Sequence, residues 1–122
     1  MPSISNARRL AINIRDEFKC SYCYKDLRRA TPDQITLDHL VPQSIGGGHS
    51  TTNLATCCFP CNRKKSVTNW KVFAKEHYPA AVRRISYRIR RKLNMPLAEQ
   101  LIAGYGNTEK ARKAVVRKGA GR

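Results

Sequence analysis

The sequence predicts a single α+β domain, with short strands in its first half and a mainly helical, basic second half. Its length of 122 residues leaves room for one hydrophobic core. The net charge of +16 is uneven, since residues 1–61 carry 7 basic and 5 acidic side chains and residues 62–122 carry 17 and 3. We therefore expect one domain over 1–122, with a core at 20–77 and a basic helical extension at 80–122.

The first half contains a predicted helix, a strand and a glycine loop. Apolar residues within 3–18 follow a helical stripe, and Ser3 or Ser5 is the expected N-cap. Residues 35–40 alternate and include β-branched side chains, which is typical of a short strand. Residues 43–52 hold three successive glycines among small polar residues. This composition predicts a loop after the strand.

A second strand and a helix follow the glycine loop. Residues 53–57 are long enough for one brief strand, and Pro60 is suited to the first turn of a helix. Apolar residues keep a helical spacing from there to His77. The sequence therefore predicts a strand, a loop, a strand and a helix in succession.

The second half is predicted to be helical. Residues 80–94 form a narrow apolar line surrounded by basic side chains, which indicates an amphipathic helix. Pro96 opens a further short helix, and Asn107 or Thr108 caps a last one. The end of the chain, 117–122, is expected to fray.

Two cysteine pairs indicate a metal site. Cys20 and Cys23, like Cys58 and Cys61, are separated by two residues, so each pair presents two thiolates from one turn. Two such turns complete a tetrahedral site for a structural zinc ion. The N-terminus has no apolar run of signal-peptide length, so we expect a reducing cytoplasm, where clustered cysteines bind metals rather than form disulfides. Cys57 is left over and is expected to pack in the core.

Polar residues with catalytic potential lie between the cysteine pairs. Asp38 and His39 end the first predicted strand, Asn53 begins the second, and Asn62 lies at the start of a helix. Neighbouring residues on a strand point to opposite sides, so Asp38 and His39 can serve different purposes. One can bind a metal ion while the other accepts a proton.

The order of these motifs resembles that of the HNH endonucleases, which have a ββα-metal active site. The chain shows, in order, Cys-x-x-Cys, Leu-Asp-His-Leu-Val-Pro, Gly-Gly-Gly, Asn-Leu and Cys-x-x-Cys-Asn-x-x-Lys. The similarity runs from Cys20 to Lys65. It implies an α+β fold with a zinc-stapled ββα-metal core and flanking helices.

The resemblance also implies a role for each polar residue. His39 corresponds to the general base, Asp38 and Asn62 correspond to ligands of a catalytic divalent cation, and Asn53 corresponds to the residue that braces the loop and the base. The last position is Asn62 rather than a histidine. Because an amide oxygen suits Mg²⁺ better than zinc-like ions, we expect Mg²⁺ or Mn²⁺ at this site.

The implied activity is metal-dependent hydrolysis of DNA by an endonuclease or nickase, which leaves 5′-phosphate and 3′-hydroxyl ends. A histidine with an ordinary pKa of about 6.5 can take a proton at neutral pH, and a cation neutralises charge at the phosphate. The alternative is a non-catalytic zinc-containing DNA-binding protein on an HNH scaffold. The presence of all four polar residues together favours the nuclease.

The large positive charge predicts a polyanionic partner, most simply double-stranded DNA. It makes an enzyme that acts on neutral small molecules an unexpected class. Five arginines within 83–91, with no acidic residue between them, indicate contacts with backbone phosphates. No run is long enough to span a membrane, and the family suggests the cytoplasm of a bacterial or phage-infected cell. His49, in the glycine loop, is assigned no role. The predicted DNA-binding residues are Lys64, Lys65, Arg83, Arg84, Arg88, Arg90 and Arg91.

Overall fold

The computed structural model of the protein describes residues 4–117. These residues form six α-helices and one two-stranded sheet. Short 3₁₀ turns at Gln43–Ile45 and Thr51–Asn53 lie between the strands. In chain order the elements are α1 (Asn6–Arg15), β1 (Ile35–His39), β2 (Leu54–Cys58), α2 (Phe59–Lys65), α3 (Trp70–His77), α4 (Ala81–Arg88), α5 (Met95–Tyr105) and α6 (Thr108–Arg117).

The predicted α+β core is confirmed. Strands β1 and β2 pair antiparallel, with Ile35 opposite Cys58 and His39 opposite Leu54. Every residue of β2 is buried, and α2 follows it directly. The register places one end of the sheet beside the cysteines and the other end beside His39 and the glycine loop.

Helix α1 is shorter than the predicted stripe because its last residues bind β2. Ser5 is the N-cap, whereas the alternative cap Ser3 lies outside the described residues. Arg15 forms a buried ion pair with Asp16 at 2.8 Å and donates to the carbonyl of Leu54 at 2.7 Å. Asp16 in turn accepts from the backbone of β2. Glu17 and Phe18 then have positive φ angles of 57° and 54°, which take the chain out of the helix.

The helix that was expected to run from Pro60 to His77 is divided in two. Ser66 has a φ of 52°, which ends α2, and the side chain of Asn69 caps α3. The Trp70 amide donates to the Leu40 carbonyl at 3.0 Å. This long-range bond anchors the start of α3 beside the end of β1.

The C-terminal helices also differ from the prediction in one place. Helix α4 ends at Arg88 rather than at residue 94, because Ile85 packs in one core cluster whereas Leu93 packs in the other. The predicted cap of the last helix is confirmed, since the Asn107 side chain accepts from Lys110 N. The predicted fraying concerns 117–122, of which 118–122 lie outside the described residues.

Two hydrophobic clusters stabilise the fold. One joins the cysteine loop and the sheet to α3 and α4, and the other lies among α1, α5 and α6. Within residues 4–117, no helix has the length and apolar character needed to cross a bilayer.

Candidate active site and zinc centre

The four cysteines of the two pairs come together at one end of the sheet. The sulfur atoms of Cys20, Cys23, Cys58 and Cys61 all lie within 4.8 Å of one another, and those of Cys23 and Cys58 are 3.8 Å apart. Zn–S bonds of about 2.3 Å in a tetrahedron separate the sulfurs by about 3.8 Å, so this donor set fits zinc. Burial raises the pKa of the Cys58 and Cys61 thiols. Metal binding therefore displaces protons and weakens as the pH falls.

The fifth cysteine lies outside this cluster, as predicted. Cys57 is completely buried, and its thiol donates to the Cys58 carbonyl at 3.4 Å. Its side chain lies in the hydrophobic cluster around the sheet. It therefore contributes to packing.

Two arginines of α4 hold the first cysteine loop in place. Arg84 donates to the carbonyls of Ser21 and Tyr22 at 2.8 and 3.1 Å. Arg88 is only 6% exposed and donates to the Lys19 carbonyl at 3.2 Å. Both guanidinium groups thus have partners within the chain itself, and a contact of Arg84 or Arg88 with DNA stays a prediction.

Asp38, His39 and Asn62 line one pocket of about 290 Å³. The first two end β1, and Asn62 reaches the pocket from α2. The Asn62 amide nitrogen donates to Thr36 Oγ1 at 2.9 Å, so its oxygen is the atom available to a cation. Carboxylate and amide oxygens are ligands that suit Mg²⁺ or Mn²⁺.

The carboxylate of Asp38 is buried, and each of its oxygens has one partner. Tyr22 donates its hydroxyl to Oδ2 at 2.6 Å, and the Lys65 ammonium lies 3.1 Å from Oδ1. Burial raises the pKa of Asp38, while Lys65 and the Tyr22 hydrogen bond act in the opposite direction. A cation at this residue has to use the remaining lone pairs of the oxygens or displace the ammonium.

Lys65 is buried and has two partners inside the protein. Its side chain is 0% exposed, and besides Asp38 it binds the His39 carbonyl at 3.0 Å. The Lys65 ammonium is thus enclosed by the protein, and its contact with a phosphate stays a prediction. Its neighbour Lys64 is exposed and remains a predicted contact.

We expect the substitution Lys65→Met to destabilise the protein by roughly 3–5 kcal/mol, because it leaves the Asp38 charge buried without its cationic partner. The matched substitution Lys64→Met, on the exposed neighbour, should change stability by less than about 0.5 kcal/mol. Urea unfolding of the zinc-loaded proteins at pH 7 measures both. Equal unfolding free energies for the two variants would contradict the buried pair.

The ring of His39 contacts a residue to which the sequence assigned no role. His39 Nε2 lies 2.8 Å from Nδ1 of His49, and the ring centroids are 4.9 Å apart. Burial, and with it the nearby Lys65 ammonium, lowers the pKa of His39 below its ordinary 6.5. The neutral imidazole of His39 therefore predominates at pH 7. The two histidines are ten positions apart in the sequence. The fold of the glycine loop brings their rings together.

Asn53 braces the glycine loop through its side chain. Its Oδ1 accepts from the Val41 amide at 2.8 Å, and its Nδ2 donates to the carbonyls of Val41 and Gly48 at 3.1 and 2.9 Å. A Cβ at Gly47 would lie 1.6 Å from the Val41 carbonyl oxygen, so only glycine fits there. These contacts are of the kind that the family resemblance implies for Asn53.

The remaining predicted DNA contacts are on the surface. Lys64, Arg83, Arg90 and Arg91 are exposed. Arg83 and Arg90 line an open pocket of about 510 Å³ together with Tyr87, which is 62% exposed. Exposed arginines can bind the backbone phosphates of a nucleic acid, and an exposed aromatic ring beside them can stack on a base.

The family model described as HNH endonuclease matches residues 20–76. The matched segment includes the four zinc-site cysteines, both strands and α2, and it leaves α4, α5 and α6 outside. No curated protein and no solved structure gives a significant match to the chain. Residues 20–76 of the chain therefore match the HNH endonuclease family.

Proposed function

We propose that the protein is a metal-dependent DNA endonuclease or nickase that hydrolyses phosphodiester bonds to 5′-phosphate and 3′-hydroxyl ends. The observation that carries this proposal is the pocket at the end of β1, where Asp38, His39 and Asn62 meet within the segment that matches the family. A base and two oxygen ligands at one pocket are the groups that phosphodiester hydrolysis requires.

Each residue has a chemical task in this proposal. A neutral His39 accepts the proton of the attacking water. Asp38 and Asn62 would hold Mg²⁺ or Mn²⁺, which supplies positive charge for the scissile phosphate and the leaving oxygen. Asn53 keeps the loop beside His39 in one conformation through its three hydrogen bonds. Zinc, held by the four cysteines, is structural.

One observation favours a second candidate, a non-catalytic zinc-containing DNA-binding protein. Both oxygens of Asp38 are already engaged, by Tyr22 and by Lys65. A carboxylate whose charge is balanced by a buried lysine has less attraction for a cation than a free one. The two candidates share the zinc site and the basic surface, and they differ in cleavage alone.

Incubation of the zinc-loaded protein with supercoiled plasmid, with and without Mg²⁺ or Mn²⁺, separates the two candidates. The nuclease predicts nicked or linear plasmid only with the divalent cation, and nicks that DNA ligase can reseal. Asn62→Ala should require more cation or fail at any concentration, with unchanged zinc content. Plasmid that is bound by the protein but stays intact in both metals would favour the second candidate.

We propose double-stranded DNA as the substrate and the cytoplasm as the setting, since thiolate zinc ligands need a reducing compartment. We also propose that residues 1–122 act as one domain. Helices α5 and α6 pack on α1, and two arginines of α4 bind the first cysteine loop. The basic C-terminal helices therefore have fixed positions relative to the nuclease segment.

The proposed DNA interface leads to a prediction about how DNA affinity depends on salt concentration. Replacing Arg83, Arg90 and Arg91 by Gln should flatten the slope of log affinity against log salt by up to about 2 to 3 units, because each phosphate contact contributes about 0.9. The matched variant replaces three exposed lysines elsewhere, Lys25, Lys71 and Lys75, by Gln. Fluorescence anisotropy with a labelled duplex from 50 to 200 mM salt measures both slopes. If both variants change the slope equally, the effect is one of net charge and α4 is not the clamp.

A further inference from the structure

We propose that His49 is a positioning residue for the base, and that it holds the His39 ring so that Nδ1 of His39 is the atom that accepts a proton. The inference rests on the proposed function and assigns a role within the same site. It begins from the 2.8 Å contact between His39 Nε2 and His49 Nδ1.

The direction of this hydrogen bond decides which nitrogen is the base. A neutral imidazole has one nitrogen that donates and one that accepts. When His39 Nε2–H donates to His49 Nδ1, the other nitrogen of His39 carries the lone pair that a water proton requires. After His39 has taken that proton at Nδ1, its Nε2–H still donates to His49, and the bond is stronger because the donor is now charged. His49 therefore selects the tautomer beforehand and supports the imidazolium afterwards.

The fold holds His49 firmly enough for this task. Arg8 of α1 donates from its guanidinium to the His49 carbonyl. The preceding Gly48 carbonyl accepts from Asn53, and Gly47 packs against the backbone of Val41. The loop is thus attached to α1 on one side and to the start of β2 on the other. A ring held by its backbone in this way can orient a neighbouring ring.

A metal-binding role for His49 has less support. Among residues 4–117, the four cysteines are the one group of three or more His, Cys, Asp or Glu side chains whose ligand atoms converge. His39, His49 and Asp38 do not form such a group. The charged side chains that act on His39 are those of Lys65 and Arg9, and both are cations. A direct hydrogen bond between the two rings is the simpler account.

Two substitutions separate the hydrogen bond from the packing of the ring. In His49→Asn, the side-chain Oδ1 is as many bonds from Cα as the imidazole Nδ1, so it can accept from His39. In His49→Phe, a ring of similar size remains and the acceptor is lost. We expect His49→Phe to lower kcat by about 10- to 100-fold with KM for DNA unchanged. His49→Asn should retain most of the parental kcat.

A second measurement does not depend on cleavage. Long-range ¹H–¹⁵N NMR spectra of the zinc-loaded parent should show His39 as the Nε2–H tautomer, and the phenylalanine variant should show a mixture. The Nδ1–H tautomer in the parent overturns the inference whether or not either variant folds. Equal kcat in the parent and His49→Phe also overturns it and leaves the proposed function standing. A parent that cleaves no plasmid overturns the proposed function instead.

Discussion

Replacing His39 by alanine is expected to lower the rate of plasmid cleavage by about 10²- to 10⁴-fold, which is the usual contribution of a general base. Folding and DNA affinity should remain close to those of the parent. The structural contact of His39 with Lys65 is made by its backbone carbonyl, at 3.0 Å, and an alanine keeps that carbonyl. The variant therefore removes a proton acceptor while leaving the buried Lys65 in place.

A histidine outside the pocket provides the matched control for His39→Ala. His77 lies at the exposed end of α3, where its ring contacts Phe73, and His77→Gln should cleave at the parental rate. Single-turnover nicking measures the rate, and anisotropy measures the affinity. If His39→Ala nicks plasmid as fast as His77→Gln, then His39 is not the base.

The pH dependence of cleavage by the parent protein also tests the assignment of His39 as the general base. Burial and the nearby Lys65 ammonium lower the pKa of His39 below 6.5. The base acts in its neutral form, so the rate should be level at neutral pH and fall as the pH drops through that lowered pKa. A rate that falls to half its neutral-pH value at or above pH 6.5 would contradict the lowered pKa of His39.

The second large effect concerns the zinc site. Cys58→Ser is expected to abolish zinc binding and to unfold the sheet and α2, whereas Cys57→Ser should keep one zinc per chain. Cys58 is at once a ligand, the last residue of β2 and the N-cap of α2, where its sulfur accepts from the Cys61 amide at 3.4 Å. Structural zinc contributes on the order of 10 kcal/mol of apparent binding free energy in isolated zinc fingers, so a core this small depends on it.

Cys57 provides the matched control because it is equally buried and adjacent. In Cys57→Ser the hydroxyl can still donate to the Cys58 carbonyl that the thiol now contacts. Metal analysis gives the zinc content, and circular dichroism during heating gives Tm. Equal zinc loss in the two variants, or a chelated protein that melts like the parent, would contradict the assignment of the four ligands.

The sequence by itself determined the features that depend on near neighbours. Each cysteine pair is held within one turn, so its spacing alone predicted which four cysteines form the cluster that could hold a metal ion. The alternation in β1 and the cap at Asn107 are equally local, because a strand and an N-cap are decided within a few residues. The polar residues of the pocket followed from the order of motifs that the chain shares with the HNH family.

Only the tertiary structure decided which charged and titratable side chains are free. Arg88 and Lys19 are separated by 69 positions and Lys65 and His39 by 26, yet each pair is joined by a hydrogen bond. The sequence shows a basic residue in both cases but not its partner. Burial converts such a residue from a surface charge into a structural one, because a buried charge has to be compensated within the protein. The contact of His39 with His49 likewise depends on how the glycine loop folds. Periodicity and spacing in the sequence do not show which atoms of a loop come into contact.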